Sequence, residues 1–213
     1  PTTGGNTSND SNARPWATAM VFKSDRNSSN QHIWNMGEGS GSTDDNIYIR
    51  HDANGNLYFG WGRTGAVNEC KFGGISSLGR YQWWGVYVAH TGERLSGANA
   101  TAANLADCFD IRLMTSSNSD DFATLGSNLS TAANWTAGST GGRMDRSVTG
   151  SLTIGGRGNN RNFHGTIASM VITTLRTNLA MPNDAEIKMM ITDPKKWEDD
   201  YRNGQFVRWS NST

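Results

Sequence analysis

The sequence predicts an all-β fold, a two-sheet antiparallel sandwich carrying a short helical segment near its C-terminus. Three observations carry this. Composition is one: only 35% of the residues are apolar and 18% charged, and the missing share is Gly, Asn, Ser and Thr, the residues of turns and short loops. Short apolar runs separated by such residues recur along the chain. A helix-like pattern appears only late, which favours a sandwich with a helical appendage over alternating β-α units.

Element by element, residues 1–14, PTTGGNTSNDSNAR, lack apolar periodicity and read as a flexible leader or linker. With neither an initiator Met nor a signal-like segment, the chain is expected to be a processed piece or to have lost its targeting segment. WATAMVFK (16–23) is the first strand, and HIWNMGEG (32–39) a short apolar segment ending in glycines. NIYIRHDANGNLYFGWG (46–62) is the clearest hairpin, with Asn54-Gly55 between two alternating runs as a type I′ turn signal. YQWWGVYVAH (81–90) is apolar on both alternating faces, as a central strand buried on both sides would be.

FDIRLMT (109–115) alternates, with Phe109, Ile111 and Leu113 pointing one way and Asp110 and Arg112 the other. The polar stretch 116–146 is too long for an ordinary connection; it is a functional loop or is anchored by Phe122, Leu125, Leu129 and Trp135. SLTIGG and GTIASMVITT are expected to form the last strand pair, with the glycines between them in its turn. Pro182, Asn183 and Asp184 start a helix over 183–192, and Pro194 must end it and open a second helical turn over 194–203.

Composition also excludes. The chain has 19 basic and 19 acidic residues, and no block of Lys or Arg. Nucleic-acid binding needs a basic stripe that displaces counterions, so it is not expected. No apolar run approaches the roughly 20 residues that span a bilayer, so no membrane partner is expected either. Cys70 and Cys108 are too few for a disulfide scaffold. They fit a disulfide or two buried thiols equally well.

The C-terminal third carries a resemblance. LTIGG (152–156), a polar loop, Phe163-x-Gly165-x-Ile167, a strand, and a short helix with Glu186-Ile187 follow one another in the order of a laminin-G module. The Trp-rich strand 81–90 upstream matches the same pattern. Over residues 15–192 the chain resembles this branch of the concanavalin-A-like lectin/glucanase jelly rolls. Residues 193–213 would be a tail packed on the same domain, and DPKKWEDDYRNGQ is similar to the ends of such domains in tailed-phage virion proteins. The resemblance implies a jelly roll of roughly a dozen strands, with ligands on a concave sheet face or at loop rims.

The residues do not follow the resemblance into hydrolysis. A glycosidase needs two carboxyl groups at fixed separation, which glucanases of this fold place as Glu-x-Asp-x-x-Glu or Glu-x-Asp-x-Glu on one strand. None of the five Glu opens such a pattern. His32, His51, His90 and His164 fit no zinc spacing, no lyase-like run surrounds them, and no Gly-x-Ser-x-Gly elbow exists. Gly156-x-Gly158 lacks the third glycine of a dinucleotide loop, and β-branched residues follow it.

What remains is binding. A sugar needs an aromatic platform with polar groups beside it. Tyr58, Trp61 and Arg63 are one candidate set, and Trp83 and Tyr87, opposite Trp84, Val86 and Val88, are another. Arg157, Asn160 and Arg161 form a polar rim where the resemblance places ligands. The resemblance also implies a structural calcium ion held by hard oxygen ligands. Asp44, Asp45, Asp120 and Asp121 are its candidates, against the plainer reading as polar loops. Asp52-x-Asn54-Gly55-Asn56 imitates a calcium loop, but the hairpin explains it better. The expectation is a non-catalytic recognition module for a glycan or cell-surface polysaccharide, outside the cell or on a virion surface. A structural assembly protein with only virion neighbours or copies of itself as partners is the alternative, and a polysaccharide-active enzyme comes third.

Overall fold

The computed structural model describes residues 15–25, 30–37, 46–63, 66–74, 82–91, 101–119, 121–138, 151–156, 161–175 and 181–202. Among them lie ten strands, in two antiparallel sheets, and three α-helices. The strands are β1 (Trp16–Ser24), β2 (Gln31–Gly37), β3 (Asn46–His51), β4 (Asn56–Arg63), β5 (Ala66–Gly74), β6 (Trp83–His90), β7 (Phe109–Ser116), β8 (Trp135–Thr136), β9 (Ser151–Ile154) and β10 (Gly165–Thr174). The helices are α1 (Ala102–Cys108), α2 (Asp184–Thr192) and α3 (Pro194–Arg202). One sheet runs β10-β1-β6-β7, the other β8-β5-β4-β3-β2-β9. The all-β sandwich with a C-terminal helical segment is the architecture the sequence predicts.

Period-two alternation explains the main core. Ile47 and Ile49 of β3, Leu57, Phe59 and Trp61 of β4, and Cys70 and Phe72 of β5 point into the space between the sheets. They meet Met20, Phe22, Trp84, Val86, Val88, Phe109 and Ile111 from the four-stranded sheet. α1 closes one end with Leu105 and Cys108; Thr101 caps it by accepting from the Asn104 N–H at 3.2 Å. Cys70 and Cys108 are both buried and form no disulfide with each other.

A second core lies on the other face of the four-stranded sheet. Ala17, Ala19, Val21, Tyr87, Ala89 and Met114 meet Ile187, Met190, Ile191 and Trp197 of α2 and α3. Small side chains let α2 sit close: a Cβ on Gly85 would lie 2.5 Å from Cγ2 of Ile191. This explains the two-sided burial of β6 that its sequence predicts. The helix boundaries follow local chemistry. Asn183 and Glu186 form a reciprocal capping box, and Pro194 opens α3 at a position where its missing N–H is no loss.

The stretch after β7 is anchored, as its apolar residues suggest. Phe122 joins the helix-side core and Leu129 and Trp135 the inter-sheet core. The same stretch covers the edge of β7: the N–H groups of Gly126 and Leu129 donate to Leu113 and Ile111, at 3.0 and 2.8 Å.

Two expectations need correction. Residues 151–154 and 165–174 do not pair with each other. β9 pairs with β2 in one sheet, and β10 with β1 in the other. The glycine-asparagine stretch between them is therefore a crossover between layers rather than a hairpin turn. The β3–β4 turn is also not type I′. Gly55 has φ 78°, while Asn54 does not take positive φ, and the Gly55 N–H donates to Asp52 C=O at 3.0 Å. That is the three-residue loop closed by a left-handed glycine.

Candidate functional site

Alternation that buries one set of side chains on the six-stranded sheet turns another set outward. Tyr48 and Arg50 of β3, Tyr58 and Gly60 of β4, and Glu69 and Lys71 of β5 share this outer face. β2 adds Asn35 opposite Tyr48 and His32 opposite Arg50; a bulge at Ile33 lets both Ile33 and Trp34 enter the core between them. Cross-strand register thus makes two rows, His32–Arg50–Tyr58–Lys71 and Asn35–Tyr48–Gly60–Glu69.

The rows interlock. Tyr48 Oη donates to Glu69 Oε1 at 2.7 Å, reaching across Gly60. A Cβ on Gly60 would lie 2.9 Å from that hydroxyl and 2.8 Å from Glu69 Cγ, so the bridge exists because position 60 has no side chain. Arg50 gives Nε to the same oxygen at 2.8 Å and Nη2 at 2.7 Å. Its guanidinium carbon also lies 4.3 Å from the centroid of the Tyr58 ring, a cation-π distance. Glu69 Oε2 and Arg50 Nη1 bond no other group of the described residues.

Electrostatics follow. Burial, then the Glu69 charge, pushes the Tyr48 hydroxyl well above the usual tyrosine range, so it stays a donor. Burial works against the Arg50 charge, yet the Glu69 carboxylate outweighs it and the guanidinium pKa rises. Tyr58 is raised by burial and then by Asp52, whose Oδ2 accepts from its hydroxyl at 3.2 Å. Burial would raise Asp52, but hydrogen bonds from Asn56, Asn54 and Tyr58 overcome it and hold its carboxyl below the usual value. Asp52 is thereby committed to the turn, as the hairpin reading expects.

The crossover reaches the same face. Arg161 sits at φ 60°, a left-handed conformation that a non-glycine residue adopts at some strain. Its C=O accepts from the His32 N–H at 3.0 Å, and its Nη1 lies 3.4 Å from His32 Nε2. The His32 ring in turn packs at a tilt against that of Tyr48, with centroids 5.1 Å apart.

Of the residues expected from sequence, Tyr58 and Arg161 meet on this face through Arg50, His32 and Tyr48. Trp61 does not join them. It is 6% exposed, in the inter-sheet core with its centroid 5.2 Å from Phe109 and 5.6 Å from Trp135. Tyr87 is fully buried beneath α2. Both are corrections: the alternation that turns Tyr58 outward turns Trp61 inward, and helices cover the face that carries Tyr87. Trp83 is half-buried under the Lys23 ammonium at 5.2 Å, on the outer face of the other sheet. Asp121 is exposed, and its C=O accepts from Ser116 Oγ. Arg157, Asn160, Asp44, Asp45, Asp120 and the Arg63 side chain lie outside the described residues. Among the described residues, no three His, Cys, Asp or Glu gather as a metal centre, and no helix is long and apolar enough to cross a membrane.

Sequence reasoning missed Arg50, Glu69, Tyr48 and His32 as partners in one site. The hairpin register alone would have set Arg50 beside Tyr58. Finding Glu69 required recognising β5, whose inward Asn68, Cys70 and Phe72 alternate with outward Glu69 and Lys71.

No protein-family model matches the chain, and no curated protein matches it in sequence. Solved structures do. The LG1-3 region of the laminin alpha2 chain aligns over 77% of this chain and 31% of its own, at 12% identity and TM-score 0.44. The Ruminococcus gnavus IT-sialidase CBM40 aligns over 83% and 82%, at 12% identity and TM-score 0.40. Domains LG4-5 of the mouse laminin alpha1 chain align over 85% and 41%, at 10% identity and TM-score 0.37. The chain thus spans less than half of either laminin structure. No site residue is transferred from them, and the site stands on its own geometry.

Proposed function

We propose that the outer face of the six-stranded sheet is a non-catalytic recognition surface that binds carbohydrate. The observation that carries this is the Tyr48–Glu69–Arg50–Tyr58 assembly. It combines a half-buried aromatic ring with a fixed acceptor, Glu69 Oε2, and a fixed donor, Arg50 Nη1. Sugar hydroxyls need such paired donors and acceptors, held in place before binding so that little ordering entropy is lost. The same bonds argue against chemistry on the ligand. A carboxylate already accepting from a guanidinium and a phenol is poorly suited to deliver a proton as a general acid. Such a module would act where glycans are displayed, outside the cell or on a particle surface.

Glycan-array screening with and without calcium, followed by calorimetry on the best ligand, tests the reading. Tyr58→Ala should weaken binding by roughly tenfold or more. Lys188→Ala, on the remote helix α2, should leave it unchanged. A correctly folded protein that binds no glycan would sink the proposal, and unchanged affinity in Tyr58→Ala would show that the site lies elsewhere.

A further inference from the structure

The β3–β4 loop carries a reactive pair that the recognition face does not use. Asn54 is exposed at its tip, and among the described residues its side-chain amide has no hydrogen-bond partner. Gly55 follows it, and a glycine nitrogen has no side chain of its own to obstruct approach to the preceding amide. Among the described residues no other asparagine precedes a glycine. Several others are engaged. Asn68 Oδ1 accepts from the Gly138 N–H and Asn183 Oδ1 from the Glu186 N–H, each at 2.9 Å. Asn128 Oδ1 accepts from Ile111 and Ser130, and Asn134 Nδ2 donates to Leu129 C=O at 2.8 Å. Asn118 is exposed too, but Ser119 follows it.

We propose that Asn54 is a site of spontaneous covalent modification, losing its amide to attack by the Gly55 nitrogen at a rate set by opening of the Asp52 turn. Hydroxide takes the Gly55 amide proton, and the nitrogen attacks Asn54 Cγ. The N–Cγ bond forms, the Cγ–Nδ2 bond breaks, and Nδ2 leaves as ammonia with a proton from water. Water then opens the five-membered imide. Attack at Cγ gives aspartate; attack at the main-chain carbonyl gives isoaspartate, whose backbone runs through Cβ and Cγ. Nothing is oxidised or reduced.

The same loop holds the brake. The Gly55 N–H donates to Asp52 C=O at 3.0 Å, so the nitrogen can lose its proton only when this bond opens. Asp52 Oδ1 keeps it closed by accepting from the N–H groups of Asn54 and Asn56, both at 2.9 Å. Oδ2 accepts from Asn56 Nδ2 at 2.8 Å. A fixed carboxylate beside the Gly55 nitrogen also disfavours its anion. Reaction therefore proceeds from the locally opened loop. Isoaspartate lengthens the main chain inside a loop that the Asp52 N–H closes on Asn56 C=O at 3.0 Å, so the product fits this closure poorly. The modification is independent of the carbohydrate reading.

The test incubates the protein in warm, mildly alkaline buffer and maps tryptic peptides by mass spectrometry against an unincubated digest. Cleavage after Arg50 and Arg63 isolates Asn54 from Asn118 and from Asn203, a residue outside the described ones. Fragmentation separates Asn54 from Asn56, and an isoaspartyl methyltransferase labels isoaspartate. Asn54 should convert several-fold faster than Asn118. Asp52→Ala, its folding checked by thermal melt, should convert several-fold faster than the parent. The modified fraction, separated by its added negative charge, should melt below the unmodified protein. Asn54 converting no faster than Asn118 would overturn the proposal, a measurement that needs no variant to fold. An equal rate in folded Asp52→Ala would overturn the role of the turn, and an unchanged melt the effect on the loop.

Discussion

Arg50 lies over the ring of Tyr58 at 4.3 Å while giving two donors to one oxygen of Glu69. The guanidinium is held from the side and from below by residues of two different strands. Its remaining donor is therefore aimed rather than mobile, which is the property a binding surface needs.

Glu69→Gln tests how far this assembly supports the fold. The Tyr48 hydroxyl keeps an acceptor, but Arg50, 15% exposed, loses its counter-charge. The variant should lose about 2 kcal/mol in urea unfolding, with Arg50→Ala/Glu69→Gln losing less than the sum of its singles. Strict additivity would mean that the pair is not coupled in solution.

Gly60→Ala adds one methyl where Tyr48 and Glu69 meet. With contacts at 2.8 and 2.9 Å, the Tyr48–Glu69 bridge must open. The expected result is a loss of about 1–3 kcal/mol and weaker glycan binding. A variant as stable as the parent, with unaltered tyrosine absorbance, would show that the bridge gives way without consequence.

Acid should destabilise the protein before its carboxylates titrate. Burial lowers His90 to about 4 and moves His51 downward too, with burial as the largest cause. Between the ordinary histidine value near 6.5 and that folded value, the unfolded chain binds more protons. Stability therefore falls as pH drops through that window and levels off for this group below it. His90 alone should account for about 3 kcal/mol. Chemical unfolding at several pH values checks this, and His90→Gln should flatten the slope. A slope unchanged in that variant would assign the effect elsewhere.

Gly85→Ala should loosen the helical layer while sparing the two sheets. A Cβ at that position would lie 2.5 Å from Ile191, so α2 must shift outward from β6. Trp197 is 2% exposed in the same core, and its fluorescence should move to the red at denaturant concentrations that leave the far-ultraviolet strand signal intact. Simultaneous loss of both signals would show that the layers unfold as one unit.

Much of this fold could be read directly from sequence where one period or one breaker dominates. β6 announced two-sided burial through YQWWGVYVAH, and Pro194 fixed the break between α2 and α3. The failures have physical causes. β9 and β10 each looked like half of a hairpin because glycine and asparagine signal reversal, whether it stays within a sheet or crosses between layers. Gly55 was recognised as a turn residue, but turn type depends on the sign of φ at Asn54, which asparagine leaves open. α1 was missed because seven residues are too short to show helical periodicity. At the site, aromatic identity pointed equally to Tyr58 and Trp61, while their spacing of three places odd-numbered and even-numbered positions of one strand on opposite faces. Arg50 and Glu69 were invisible as a pair because nineteen positions separate them and only the register of β3, β4 and β5 joins them.

The position of β1 between β6 and β10 has a consequence for biosynthesis. Its neighbours are made much later: Trp16 pairs with His90 on one side and with Thr174 on the other. A ribosome thus releases β1 long before either partner exists, and the four-stranded sheet closes only after β10 has emerged. Pairing over such separations is slow and leaves apolar strands uncovered meanwhile. Truncation before β10 should therefore yield a chaperone-bound nascent chain rather than a folded fragment, because its first strand is still waiting for its last.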